Sequence, residues 1–268
     1  MQHRLEHIWQ TTESMVCVGL DPDEARLSKL VGEADQPYLA FCRAIVDATA
    51  PYVCAFKPQF AHFAAVGRTD ELRSVCQYIK ANYPQHILIL DAKRGDIGST
   101  AAFYAREAYE HYGADAVTVN PYLGEESLLP FLAFEQHGIV VLCRTSNPDS
   151  NWLQAVGEPT LYIRVAQKVT ALNSKRQCML VTGATYPEEL AEIRQAVGDM
   201  PLLVPGIGAQ GGDLAAVLRH GLDARGYGLL ISSSRNIIYA GQEGDYAAAA
   251  GQAAEALRNE INEIKKAL

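Results

Sequence analysis

Ile87-Leu88-Ile89-Leu90-Asp91-Ala92-Lys93-Arg94-Gly95-Asp96-Ile97-Gly98-Ser99-Thr100 contains one complete structural unit. Four consecutive apolar residues read as a strand buried on both faces, because a half-exposed strand would alternate apolar with polar. Charged residues end the run, and two glycines permit a tight turn. From Ser99 to Tyr112 the spacing and the helix formers predict a helix.

The same beat recurs on either side. Short apolar runs stand at Met15–Leu20, Tyr52–Phe56, Ala116–Val119, Ile139–Cys143, Cys178–Val181, Leu202–Val204 and Gly228–Ile231. Between them, helical patterns cover Pro37–Ala50, Asp70–Asn82, Glu125–His137, Thr160–Asn173, Pro187–Val197, Gly212–His220 and Tyr246–Lys266. Parallel strands need long crossovers, and these stretches supply them. Eight strands alternating with eight helices predict an α/β fold, a closed (β/α)8 TIM barrel spanning 1–268 as a single domain. A doubly wound open sheet is the alternative.

At 268 residues and 49% hydrophobic, the chain can bury a sizeable core. Its net charge of −8 argues against a nucleic-acid binder, which would carry a basic face. No segment approaches the roughly 20 apolar residues that cross a bilayer, and Met15–Leu20 lacks the flanks of a secretory signal. A cytoplasmic protein with no membrane partner is expected. Six cysteines without a C-x-x-C pair fit buried small hydrophobes better than disulfides or zinc.

The strand ends carry the chemistry. The runs stop at Asp21, Lys57, Asp91, Asn120, Arg144, Gly183, Pro205 and Ser232, which in a barrel ring the C-terminal mouth. Strand periodicity puts Asp91 and Lys93 on one face, the glycine turn brings Asp96 back beside them, and Lys57 lands next to Asp91. The expected result is an alternating line, Lys57–Asp91–Lys93–Asp96. The plainer reading is a structural ion network, with Asp96 or Ser99 capping the next helix. Buried ion networks are costly, however, and four alternating charges in a concave site point to function.

Lys93 between two carboxylates is expected to stay an ammonium, unsuited to a Schiff base. It suits stabilising a developing carbanion and then protonating it. A neighbouring Asp can crowd a substrate carboxylate. Two such charges about 4 Å apart repel by roughly 4 kcal/mol at an effective dielectric near 20, about a thousandfold in rate. That would assist loss of CO2, and the lysine must do most of the rest.

A second signal is Val204-Pro205-Gly206-Ile207-Gly208-Ala209-Gln210-Gly211-Gly212-Asp213. It fits the dinucleotide pattern G-x-G-x-x-G, but it follows the seventh run, and the eighth ends in Ser232-Ser233-Ser234-Arg235 rather than an acid. A phosphate cup of exposed backbone N–H groups with Ser234 and Arg235 fits better. Arg144-Thr145-Ser146-Asn147-Pro148-Asp149 is a polar turn placed to read the edge of a heterocycle. His3-Arg4-Leu5-Glu6-His7 matches H-x-x-E-H by chance, the other histidines show no ligand spacing, and no metal is expected.

Asp91-x-Lys93-x-x-Asp96 followed by Ile97 and Thr100, with Gly19-Leu20-Asp21 and Pro205-Gly206-Ile207-Gly208, resembles the orotidine 5′-phosphate decarboxylase family. Phe56-Lys57-Pro58-Gln59, Arg144-Thr145-Ser146-Asn147-Pro148 and Ser233-Ser234-Arg235 resemble its longer bacterial branch, type 2. The resemblance covers essentially the whole chain. It implies a cofactor-free, metal-free carboxy-lyase making UMP and CO2 in pyrimidine biosynthesis. Lys93 would be the proton donor to C6, Asp91 would face the substrate carboxylate, and Asp21 and Lys57 would bind ribose hydroxyls. Asp96 and Thr100 would reach into the partner's site of a homodimer. Ser146, with Thr145, would bond the pyrimidine, and Gln59 and Asn120 would be lesser members of the mouth. Pro205, Gly206, Gln210, Ser234 and Arg235 would surround the phosphate. The D-x-K-x-x-D signature is shared with sugar-phosphate decarboxylases. A 3-keto-gulonate-phosphate decarboxylase is therefore the rival enzyme, and a non-catalytic nucleotide-binding protein the rival from another class.

Overall fold

The computed structural model describes residues 1–207, 212–242 and 244–268. Eight parallel strands form a closed barrel in sequence order: β1 (Val16–Leu20), β2 (Ala55–Pro58), β3 (Ile87–Arg94), β4 (Ala116–Val119), β5 (Gly138–Arg144), β6 (Cys178–Thr182), β7 (Leu202–Pro205) and β8 (Leu229–Ser233). The ring closes where β8 pairs with β1, Ser232 opposite Cys17. Every residue of β1, β2, β4, β6 and β8 is buried, which is why these runs are apolar without alternation. Closure removes the open-sheet alternative.

Outer helices at Pro37–Thr49, Thr69–Asn82, Leu161–Leu172, Pro187–Val197, Leu214–Gly221 and Tyr246–Ala267 stand close to their expected positions. Pro37 and Pro187 occupy first turns, where a missing N–H leaves no hydrogen bond unmade. Two stretches depart from expectation. The third crossover starts at Gly98, runs to Arg106 and ends in a π turn, Glu107–His111. The expected helix Glu125–His137 breaks into a 3-10 turn, Glu125–Ser127, and one helical turn, Leu129–Leu132. Pro130 explains this, since it can donate no N–H to a helix begun at Glu125.

Among the described residues, two helices of eight residues or more have no counterpart in the apolar beat. Asp23 caps Glu24–Val31 by accepting from the Ala25 N–H. Gln2–Thr12 lies across the N-terminal mouth of the barrel. Its Leu5, Ile8 and Trp9 are wholly buried, Arg4 pairs with Asp115, and the Gln2 side chain reaches the Asp199 carbonyl at 2.9 Å. Asp115 and Asp199 each stand just before a strand, so this helix seals the floor. Arg194 ties the same end together. Its guanidinium donates to the carbonyls of Gly198, Met200, Gly221 and Gly228, and burial draws it down to about 10.

All six cysteines are buried and free. Burial pushes the thiols of Cys17, Cys76, Cys143 and Cys178 up to about 12. Among the described residues no helix is long and apolar enough to cross a membrane.

Candidate active site

The C-terminal ends of the strands converge at the opposite mouth. Lys57, the third residue of β2, places Nζ 2.7 Å from Asp91 Oδ2 in β3. Lys93 Nζ lies 2.7 Å from Asp91 Oδ1. Both side chains of the Lys57–Asp91 pair are only 8% exposed, whereas Lys93 is 49% exposed at the rim. Burial opposes both inner charges, but pairing outweighs it. Asp91 sits well below the usual carboxylate range between Lys57 and Lys93, and Lys57 is raised by Asp91 and Asp21.

Three of the four expected charges therefore line up as the sequence implies. The route to that geometry differs. Leu90 pairs with Val117 and Arg94 with Val119, so three residues of β3 face the single Thr118 of β4. This bulge, with Lys93 at φ +46°, replaces simple two-residue alternation. Asp96 does not complete the line within one chain. Its Oδ1 accepts from the Ile97 N–H at 2.8 Å, so its carboxylate faces its own backbone. Neither Asp96 nor Ser99 caps the following helix; Ile97 occupies that position without a side-chain bond.

Two adjoining cavities open beside these charges. One, about 250 Å³, is lined by Lys57, Asp91, Lys93, Thr118, Thr145, Ser146, Asn147 and Pro205, over an apolar floor of Leu142, Val181 and Leu203. The other, about 150 Å³, is lined by Asp21, Gly206, Ile207, Ser232, Ser233, Ser234, Arg235 and Asn236, and shares Lys57 and Pro205 with the first. Among the described residues Asp21 Oδ1 and Ser234 Oγ, both buried there, find no hydrogen-bond partner. A Cβ on Gly19 would meet the Ser234 Cβ at 2.8 Å, so glycine is what lets β1 approach this wall. A larger depression of about 630 Å³, between Glu13 and the final helix, holds none of these groups. Converging charge, rather than volume, marks the site.

Among the described residues several sequence candidates line neither cavity, although Gln59 forms a bridge with Asp91 on the neighbouring strand. Gln59 follows β2, its N–H bonded to the Leu20 carbonyl at 3.1 Å, and Thr100 is exposed on the helix Gly98–Arg106. Both stand outside the two cavity linings. Asn120 caps a 3-10 turn through Oδ1 and the Tyr122 N–H. Gln210 lies outside the described residues. Arg144 does not join the mouth; it is wholly buried, paired with Glu189 and stacked 3.8 Å from the Tyr186 ring centroid. His3 and Glu6 pair with each other, and Glu6 also pairs with Arg176 and Arg225. Among the described residues no cluster of His, Cys, Asp and Glu is placed to hold a metal.

Sequence reasoning missed Thr118 and the apolar floor. Thr118 was discoverable as the lone hydroxyl in Ala116-Val117-Thr118-Val119, because a buried hydroxyl needs partners. Leu142, Val181 and Leu203 carried no signal, since inward and outward apolar residues of a buried strand look alike.

The description "Orotidine 5′-phosphate decarboxylase / HUMPS family" belongs to the family model that matches residues 14–250, the span holding the linings of both adjoining cavities. The chain belongs to the orotidine 5′-phosphate decarboxylase family. An orotidine 5′-phosphate decarboxylase of Bordetella pertussis is 52% identical over 268 residues, 98% of both chains. One from a Janthinobacterium species is 52% identical over 264 residues, covering 97% of each. Among solved structures, a Leishmania donovani OMP decarboxylase superposes with a TM-score of 0.86 at 36% identity, covering 98% of both chains. The barrel and the strand-end charges described above are thus those of an orotidine 5′-phosphate decarboxylase family member.

Proposed function

We propose that this chain converts orotidine 5′-phosphate to UMP and CO2, with Lys93 as the proton donor. The observation that carries the reading is the Lys57–Asp91–Lys93 line at the wall of an apolar-floored cavity, adjoining a cavity rich in hydroxyls and backbone. The pyrimidine fits the first chamber, over Leu142, Val181 and Leu203, with Thr145 and Ser146 at its polar edge. The phosphate fits the second, against Gly206, Ser234 and Arg235, and the ribose spans Asp21 and Lys57 between them.

In this pose the C6 carboxylate faces Asp91, held ionised by two lysines. Repulsion between the carboxylates is worth roughly 4 kcal/mol at about 4 Å. The C6–carboxyl bond breaks, its electron pair stays on C6, and CO2 leaves. The Lys93 ammonium stabilises that pair and then transfers a proton to C6; the resulting amine recovers a proton from water. Binding energy from the distant phosphate is available to hold the reacting end in place. None of these steps draws on a cofactor or metal.

The functional unit we propose is a single-domain homodimer working in the cytoplasm. Ile97, Phe103, Tyr122, Leu123 and Leu129 are exposed apolar residues around the Asp96 turn and the helix that carries Thr100, a surface suited to a second copy. Free, buried cysteines suit a reducing compartment.

The test is ultraviolet absorbance of orotidine 5′-phosphate with purified protein in EDTA. Loss of the orotate band with UMP formed is expected. No change, with folded protein that binds UMP, would overturn the reading. Lys93→Ala should lose more than about a thousandfold in kcat while still binding UMP.

A further inference from the structure

We propose that Thr118 is a positioning residue that holds Lys93 in its reactive geometry, an inference that rests on the decarboxylase reading above. At the β3–β4 bulge, Asp91, Ala92 and Lys93 face the single residue Thr118, between the pairs Leu90–Val117 and Arg94–Val119. A regular ladder would satisfy the N–H groups of this segment with β4 carbonyls. Here one side-chain oxygen takes their place: Thr118 Oγ1 accepts from the Ala92 N–H at 3.0 Å and the Lys93 N–H at 2.9 Å.

The same hydroxyl donates to Asp91 Oδ1 at 2.9 Å, the oxygen that also receives Lys93 Nζ. A hydroxyl has one proton and two lone pairs, and all three are used. Thr118 is 1% exposed, so water cannot stand in for it.

Lys93 needs such support. At φ +46° it occupies the left-handed region, which is unfavourable for a residue with a long side chain and persists only where its surroundings impose it. The backbone bonds hold the bulge open, and the bond to Asp91 fixes the carboxylate that aims the ammonium. Without the hydroxyl, two N–H groups lose their acceptor and the carboxylate loses one of three donors. The bulge then relaxes towards a regular strand, swinging Lys93 away from the cavity. Apart from the shared Lys57, the phosphate cavity is lined from β7, β8 and the segments that follow them and β1, none of which bonds to Thr118.

Thr118→Val removes the hydroxyl and keeps the shape. It should lower kcat by about a hundredfold, the scale of an ångström of misplacement, with KM and the Kd for UMP within about threefold. Thr118→Ser, which keeps the hydroxyl, should stay within about threefold of the wild type in kcat. If Thr118→Val does not fold, Thr118→Ala is read the same way. A folded variant lacking the hydroxyl with wild-type kcat, one impaired in KM alone, or a serine variant as slow as valine would each overturn the proposal. Failure of the decarboxylase reading looks different, because the wild type itself would then not turn over.

Discussion

Asp91 is the residue on which the site's electrostatics turn. Lys57, Lys93 and Thr118 all donate to its carboxylate, which ties the buried lysine to the exposed one. Because the folded pKa of Asp91 is depressed, it contributes stability above its unfolded value, about 4; that contribution fades as pH falls towards the folded value. Lys57 is raised, so its contribution is present below about 10.4 and fades only as pH climbs through the folded value. Across the neutral range both are in full force. Asp91→Asn strands Lys57 in a buried site and should cost about 3–5 kcal/mol near pH 7, measured by urea unfolding. The deficit against the wild type should shrink progressively below about pH 4. A variant whose stability runs parallel to the wild type from neutral pH into acid would show that Asp91 carries no such linkage.

At the scale of elements, the strand-end loops are set by side chains that never meet a ligand cavity. Arg144 ends β5 and faces inward to the protein, donating to Gln154 Oε1 at 3.4 Å and Asn151 Oδ1 at 2.5 Å, besides pairing with Glu189. It thereby fixes the loop that presents Thr145 and Ser146. Beside it, a Cβ on Gly183 would meet the Ser146 Cα at 2.6 Å, so the two loops interlock. Arg144→Lys cannot reproduce the forked contacts; it should lower the urea midpoint by the equivalent of about 3 kcal/mol and raise KM for orotidine 5′-phosphate. An unchanged KM would separate this anchor from the site. Such roles explain what the sequence concealed. The eight runs were legible because burial on both faces leaves continuous apolar stretches, as in Ala116–Val119. Lys57 and Asp91 were legible because charge at the end of such a stretch is conspicuous. Arg144 reads identically to them, yet it turns away from the mouth, and only tertiary context decides which. The bulge was illegible too, since nothing in Asp91-Ala92-Lys93 signals that one threonine on the next strand will face all three.

For the whole molecule, the helix Gln2–Thr12 seals one mouth, and the charges and cavities gather at the other. Asp96 and the exposed apolar residues near it lie at that rim, with the Asp96 carboxylate bonded to the Ile97 N–H. If Asp96 serves the neighbouring subunit's site, two inactive variants should repair each other. Equimolar Lys93→Ala and Asp96→Ala, after subunit exchange, should recover about one quarter of wild-type activity, since about half the dimers are mixed and each has one intact site. Absence of recovery after verified exchange would place Asp96 in its own subunit's chemistry. Six thiols enclosed in the finished barrel are all open to attack on a nascent chain. Cys17, Cys42, Cys54 and Cys76 are synthesised before β4 exists, and the ring cannot shut until β8 meets β1. Oxidation of these thiols is therefore a hazard of biogenesis more than of service, because the vulnerable interval is the one before closure.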